Sequence, residues 1–240
     1  MQNKFIKKLF LPIVIVLLVL GVIFAYQAMT TKPAEFVGQK KSPHFLDSTP
    51  LHGETYAAQP INITLNFDFD LALGSSVSVK KDSSEWTIGE VRIENNKTAL
   101  KKELKQGMSD GEYIVNYSAC WPDKSCHEGS FSFKIDSKLK SEFLDMKGKS
   151  EVTIDMKEIK FVSQKVLISP GTKVTWINSD QVEHFVNTET HPAHTYFTSQ
   201  NSRGLAKGQT YSTTFIKLGQ YNYHCSAHAS SMIGSIVVLN

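Results

Sequence analysis

The sequence predicts an all-β protein of two β-sandwich domains that follow one transmembrane helix. Apolar and polar residues alternate in several short runs, and turn signals separate these runs, which is typical of sandwiches and barrels. After residue 31 we find no long amphipathic helical pattern. The length of 240 residues is enough for two small domains and a tail.

Residues 1–31 predict a membrane anchor. The stretch Leu9–Thr31 contains 23 residues without a charge, which is long enough to cross a bilayer as a helix. Three lysines precede it and should stay in the cytoplasm, so the remaining chain is expected outside. A cleaved signal peptide is the alternative, although Ile23 and Tyr26 would make a poor cleavage site. The expected location is the cell membrane, with a single pass and the later domains periplasmic or extracellular.

Composition excludes several classes of protein. The formal net charge is +3, and the lysines before the apolar stretch account for all of it. The neutral remainder argues against nucleic acid as a partner, because phosphate binding needs clustered Lys and Arg. Hydrophobic residues make up 41% of the chain, which indicates a folded protein. Three cysteines are too few for a disulfide-dense scaffold.

The exported part divides into a tether, two strand-rich domains and a linker. Residues 32–43 are polar and are expected to form the tether. Residues 44–136 form the first domain, and their clearest alternation runs from Ile61 to Phe69, which places the apolar set on one buried face. The charged segment 137–149 is expected to be a linker. A second series of strands, in 150–240, forms the second domain.

Cys120 and Cys126 flank a short turn in the first domain. If this segment is a hairpin, the two cysteines face each other across the strands at a distance that permits a disulfide. A disulfide is the expected state outside the cell, and a metal site with two cysteine ligands is the alternative.

The end of the chain carries a set of metal-ligating residues. Cys225, His228 and Met232 lie within eight residues, and His184 lies 41 residues before the cysteine. Two imidazoles, a thiolate and a weak axial thioether are the ligands of an electron-transfer copper site. Zinc also binds Cys and His, but a thioether is not among its usual ligands. A binuclear copper centre would need a second cysteine in this segment.

The region from Val152 to Asn240 resembles a plastocyanin-type cupredoxin. The resemblance is carried by Trp176–Asp180, by His184, and by Gly219–Cys225 followed by the spacing Cys-x₂-His-x₃-Met. It implies one type 1 blue copper ion, held by the metal ligands His184, Cys225, His228 and axial Met232.

Three more histidines lie near this motif. His191 and His194 stand in a His-Pro-Ala-His loop, and His224 precedes the cysteine. A His-x₂-His pair can bind a second metal, but no third ligand is evident from the sequence. We therefore expect His191, His194 and His224 to be surface histidines.

Residues 44–136 resemble the copper-resistance CopC family. The resemblance is carried by Ser48–Gly53, Asp110–Val115 and His127–Phe133. Members bind copper through an amino-terminal histidine and through an Asp and a His near an Asp-Gly-His motif. Here Pro122–His127 replaces that motif. His44 lies two positions later than the family's amino-terminal histidine. The positions carried over are His44, Asp123 and His127, although Asp123 after a proline is expected to be a turn residue.

The expected function is electron transport by a copper protein that is not an enzyme. Its partner would be a redox protein, or a copper donor or acceptor. The alternative is a copper-resistance protein that stores or delivers copper outside the membrane. A fragment of a multicopper oxidase or nitrite reductase would need a second copper centre with several more histidines, for which His191, His194 and His224 are the spare residues.

Overall fold

The computed structural model describes residues 38–240, and the predicted helix in 1–31 lies outside these residues. The described part is nearly all β, with strands and three short 3₁₀ helices, as the alternating patterns predict. Across residues 38–240, no helix is long and apolar enough to span a bilayer.

The N-terminal half, residues 45–135, contains two sheets. Its strands are β1 (Phe45–Thr49), β2 (Thr55–Tyr56), β3 (Asn62–Phe67), β4 (Ser76–Lys81), β5 (Ser84–Glu85), β6 (Thr87–Glu94), β7 (Ala99–Leu104), β8 (Gly111–Cys120) and β9 (Cys126–Ile135). One sheet has the order β1-β3-β7-β6 and the other β2-β9-β8-β4-β5. A common core contains Leu65 and Leu100 from the first sheet and Val115 and Phe131 from the second, so this half is a sandwich.

The C-terminal half also contains two sheets. Its strands are β10 (Leu144–Asp145), β11 (Glu151–Met156), β12 (Lys165–Ile168), β13 (Thr172–Asn178), β14 (Asn187–Thr188), β15 (Thr210–Phe215), β16 (Gly219–His224) and β17 (Ile233–Val238), and its 3₁₀ helices span Thr198–Gln200 and Ser226–His228. The sheets have the orders β11-β13-β15 and β10-β12-β17-β16-β14. Ile154 and Trp176 from one sheet share a core with Tyr221 and Ile236 from the other.

The predicted linker 137–149 contains secondary structure. Residues Ser137–Glu142 form a 3₁₀ helix that begins after Asp136, whose carboxylate accepts a hydrogen bond from the Lys138 N–H. Strand β10 then pairs with β12 in parallel. Leu139 and Phe143 pack against a small apolar cluster contributed by both halves. The segment is therefore part of the folded structure.

Cys120 and Cys126 form the expected disulfide. They are opposite each other at the turn end of the β8–β9 hairpin. Their side chains therefore meet across the two strands, as the short turn between them predicts.

Strand β3 differs from its prediction in two respects. The alternation correctly places Ile63, Leu65 and Phe67 in the core, but every residue of the strand is buried. The polar face is covered because it contacts the C-terminal half, where the side-chain amide of Asn62 donates to the Tyr196 carbonyl. The pattern also ends before Phe69, whose side chain is 45% exposed.

The two halves are joined by hydrogen bonds from both main-chain and side-chain groups. The N–H of Gln220 in β16 donates to the carbonyl of Gln59 at 2.9 Å. Gly219 makes this approach possible, because a Cβ atom there would lie 2.8 Å from the same carbonyl oxygen. The N–H of Ile61 donates to the Tyr196 hydroxyl at 2.7 Å, and this hydroxyl donates to the Gln220 carbonyl at 2.9 Å. Strand β16 therefore lies next to the junction of the halves.

Candidate metal centre

Cys225 lies directly after β16 and points into the C-terminal core. Tyr221, Tyr223 and Cys225 alternate along the strand and are all buried in one cluster, as predicted from their spacing. Within residues 38–240 it is the cysteine left free, since the other two form the disulfide. A buried free thiol beside imidazoles is a donor group available to a metal.

Two imidazole nitrogens face the Cys225 sulfur. The Nδ1 atoms of His184 and of His228 each lie 3.6 Å from Sγ. Metal bonds of about 2.0–2.1 Å to nitrogen and about 2.3 Å to sulfur, at a tetrahedral angle, place the two ligand atoms about 3.6 Å apart. The three side chains therefore fit a common metal ion without rearrangement.

Main-chain hydrogen bonds hold the loop that carries three of the predicted ligands. The His228 N–H donates to the Cys225 carbonyl, and the Met232 N–H donates to the His228 carbonyl. The Cys225 N–H donates to the Met232 carbonyl at 2.9 Å, which closes the loop before β17. The Met232 side chain is fully buried in the same core as Cys225. The structure thus brings the Cys-x₂-His-x₃-Met segment together.

Asp180 orients His184. Its carboxylate lies 2.8 Å from the His184 Nε2, so Nε2–H donates to it and the lone pair of Nδ1 faces the sulfur. The N–H groups of Glu158 and Ile159 also donate to this carboxylate. Burial alone would raise the pKa of Asp180, but these hydrogen bonds and the one from His184 outweigh it and lower the pKa to about 2.

The environment of the sulfur differs from one side to the other. The Phe185 N–H donates to Sγ at 3.3 Å, which stabilises negative charge on sulfur. His184 is fully buried, whereas His228 is partly exposed. Among the three donors, His228 is therefore the one that reaches solvent.

Comparisons with known proteins agree with this geometry. Residues 148–239 match the model for copper binding proteins of the plastocyanin/azurin family. Amicyanin-alpha from Methylorubrum extorquens is 34% identical over 93 residues, which are 38% of this chain and 72% of the relative. The chain belongs to the plastocyanin/azurin family. Residues 45–136 match the CopC domain, so both family resemblances are confirmed in their predicted order.

Other relatives of this family are also similar. Amicyanin from Paracoccus denitrificans is 32% identical over 89 residues, which are 36% of this chain. The chain spans 64% of that relative's length. A solved Cu(I) structure of an amicyanin variant is 28% identical and covers 38% of this chain and 83% of that one, with a TM-score of 0.33. Family membership and the His-Cys-His arrangement identify the cofactor of the plastocyanin/azurin domain as type 1 copper.

A second group of histidines lies in the plastocyanin/azurin domain. The sequence predicts surface histidines at positions 191, 194 and 224, but the structure buries His224 and places the ligand atoms of His191, His194 and His224 within 4.8 Å of one another. His194 Nε2 lies 3.2 Å from His224 Nε2. The alternation in β16 already indicates that His224 points away from the Cys225 side. The approach of the other two depends on a loop fold that the sequence does not reveal.

Burial favours the uncharged form of two histidines in this second group, His194 and His224. Burial, and then the neighbouring His194 and His191, lower the pKa of His224 to about 4. Burial and His191 also lower the pKa of His194.

The candidates in the CopC domain are not brought together. Among residues 38–240, the two groups of three or more ligating side chains are those described above, and neither includes His44, Asp123 or His127. His44 Nδ1 lies 2.8 Å from an Asp68 oxygen. Asp123 accepts hydrogen bonds from the N–H and hydroxyl of Ser125, which is the turn role expected after a proline.

Proposed function

We propose that this protein is a membrane-anchored, extracytoplasmic blue copper protein that carries single electrons. His184, Cys225, His228 and axial Met232 hold the copper ion in this proposal. The observation that carries it is the position of two imidazole Nδ1 atoms, each 3.6 Å from a buried thiol sulfur.

The ligands are held by a rigid frame, which suits electron transfer. A bound type 1 copper supplies a reversible one-electron change between Cu(II) and Cu(I). Asp180 fixes the His184 ring, and the Cys225 N–H is bonded within the loop. The sulfur also accepts a hydrogen bond from Phe185. Because these positions are fixed by folding, little of the protein has to move when the charge of the site changes.

Electrons would enter and leave at His228. This side chain is partly exposed, and Ala227, Ser230 and Ser231 around it are exposed and small. Small side chains let another protein surface approach the imidazole closely. The proposed partner is therefore a redox protein that docks over His228.

The extracytoplasmic location rests on two features. The apolar stretch Leu9–Thr31 is long enough for an anchor, and the lysines before it favour the cytoplasmic side. The Cys120–Cys126 disulfide is typical of proteins in an oxidising compartment.

Copper loading of the full-length chain in a mild detergent tests the electron-carrier proposal. We expect an intense blue absorption band and a reversible one-electron wave in voltammetry. Cys225→Ser should abolish the band, because the thiolate is its source. His52→Ala, a histidine change in the CopC domain, should leave the band intact. A colourless wild-type protein under oxidising conditions with excess copper would refute the proposal.

The second candidate function is copper storage or delivery, and the CopC domain favours it. A carrier of electrons should retain its copper during repeated redox cycles, whereas a delivery protein should release it to an acceptor chelator within minutes. Consumption of oxygen or nitrite by the loaded protein would instead indicate an enzyme. Following copper, oxygen and nitrite in one experiment separates these functions.

A further inference from the structure

We propose that His191, His194 and His224 form a second metal site, which binds a divalent transition-metal ion of the imidazole-preferring class, Cu²⁺ or Zn²⁺. The three histidines belong to two separate elements, the loop after β14 and the end of β16. They share no side chain with the group around Cys225.

The spacing of the nitrogens supports this site. Two nitrogens bound to one ion at about 2.0–2.1 Å and a tetrahedral angle lie about 3.3 Å apart. His194 Nε2 and His224 Nε2 are 3.2 Å apart. The ring centre of His191 lies 5.3 Å from that of His194 and 5.4 Å from that of His224. His191 is exposed, so its ring can rotate to complete the set without disturbing the core.

The donor set indicates which ions fit. Three imidazoles without a thiolate or a carboxylate suit Cu²⁺ and Zn²⁺, and both accept a fourth ligand from solvent. The Ser226 hydroxyl lies 3.1 Å from His194 Nε2 and accepts a hydrogen bond from the Asn187 amide. This hydroxyl therefore lies beside a ligand nitrogen of the site, where it can bind the ion or a water on it. Burial decreases from His224 through His194 to His191, which leaves an entry path from solvent.

The CopC domain shapes the loop that carries two of these ligands. The Thr190 hydroxyl donates to the Asp47 carboxylate at 2.5 Å and accepts from the Asn66 amide at 3.1 Å. The Thr195 hydroxyl donates to the Asn66 side-chain oxygen at 2.8 Å. Both ends of the segment that contains His191 and His194 are thus fixed to strands of the other half. The two imidazoles are held near His224 before any ion binds, which lowers the entropy lost on binding.

Counting metal in the full-length chain, purified metal-free in a mild detergent, tests this proposal. After incubation with excess Cu²⁺ and removal of loose metal, we expect His194→Ala to retain one ion fewer than the wild type and to keep its blue band. Cys225→Ser should lose the band but keep the ion at the histidines, with an electron paramagnetic resonance signal that lacks the narrow copper splitting of a thiolate site. Failure of the electron-carrier proposal is therefore distinguishable from failure of this one.

Two controls make the result specific. His52→Ala should bind as much copper as the wild type. If His194→Ala also binds as much, or if the additional ion is lost only in His127→Ala, the proposal is wrong. A titration with Zn²⁺ of protein already loaded with one blue copper should give one further equivalent in the wild type and none in His194→Ala.

The role of the CopC domain has its own test. Asn66→Ala removes the partner of both threonines but no ligand. We expect it to weaken binding of the second ion about 10- to 100-fold, as loss of a supporting contact does in other metal sites, and to leave the blue band unchanged. An unchanged affinity in a variant that remains folded would show that the loop does not depend on this contact.

Discussion

Asp180 determines which nitrogen of His184 is available to a metal. A neutral histidine has two accessible tautomers, and a hydrogen-bonding neighbour selects one of them. Here the carboxylate accepts the proton of Nε2, so Nδ1 is left unprotonated toward Cys225. The two main-chain N–H groups from the loop after β11 hold the carboxylate in place. One side chain therefore links the orientation of a ligand to the backbone around it.

Asp180→Asn should weaken copper binding about 10- to 100-fold and raise the reduction potential. The amide keeps the shape of the side chain but removes its negative charge. Because that negative charge stabilises the oxidised ion more than the reduced one, its removal raises the potential. Competition with a copper chelator and voltammetry measure the two effects.

Asp155→Asn is the matched control, because Asp155 lies on β11 and accepts from the Ser179 hydroxyl without contacting a ligand. If both variants change affinity and potential equally, the contact with His184 has no special role.

Some residues of the sites could be predicted from the sequence and others could not. Cys225 and His228 were predictable because their spacing lies within one short loop, and His184 because it follows a strand of the same domain. The supporting role of Asp180 required the geometry, since the sequence does not show which side chain contacts the His184 ring. The approach of His194 to His224 spans 30 residues and depends on contacts with the other half.

Strand β16 positions residues of two groups of metal-ligating side chains, the one around Cys225 and the one around His224. Its alternation places Tyr221 and Tyr223 in the core in line with Cys225, and it places His224 on the other face. Its first residues contact the other half through Gln220. The same period of two predicts β3, but it does not reveal that the polar side of that strand is covered. A buried polar face has the sequence pattern of an exposed one, and only its partners distinguish the two.

Gly219→Ala should destabilise the protein by about 2 to 4 kcal/mol. The glycine has φ +138, and an added Cβ would lie 2.8 Å from the Gln59 carbonyl oxygen, so the strain of the backbone adds to a steric clash. Gly171→Ala is the control, because Gly171 has φ +86 but nothing within 4 Å of the added atom. It should cost only about 1 to 2 kcal/mol. Denaturant unfolding measures the free energy of unfolding of both variants. Equal losses of stability in the two variants would contradict a close contact between the halves at Gly219.

At the scale of the whole molecule, the half-buried side chains of Glu54 and Glu189 lie close together where the two halves of residues 38–240 meet. Glu54 and Glu189 line a cleft of about 240 Å³ together with Lys165 and Asn222. Burial and then the charge of Glu54 raise the pKa of Glu189 to about 8, and burial also raises the pKa of Glu54. The Asn222 amide donates to the Glu54 carboxylate at 2.8 Å, and this hydrogen bond offsets part of the free energy lost when that carboxylate leaves water.

The stability of the metal-free protein should fall as the pH rises from about 6.5 to about 8. Below this range the lowered pKa values of His224 and His194 make stability rise with pH and oppose the effect of Glu189. Within it the folded state binds more protons than the unfolded state, because burial raises the pKa of Glu189 to about 8. The loss between pH 6.5 and pH 8.5 should be on the order of 2 kcal/mol. Glu189→Gln should flatten the profile of melting temperature against pH, whereas the exposed Glu90→Gln should not. A wild-type profile that rises over this range would contradict the assignment.

The polar face of β3 has a consequence for what happens when the chain is cut. Asn62, Thr64 and Asn66 bury amides and a hydroxyl on the side of this strand that faces the other half. When the two halves separate, water can replace the hydrogen bonds that these polar groups lose. Newly exposed apolar surface has no such replacement and promotes aggregation. In an N-terminal fragment released by a protease, the polar face of β3 should therefore stay hydrated, whereas Ala57, Ala58 and Ile61 lose their apolar neighbours and favour association.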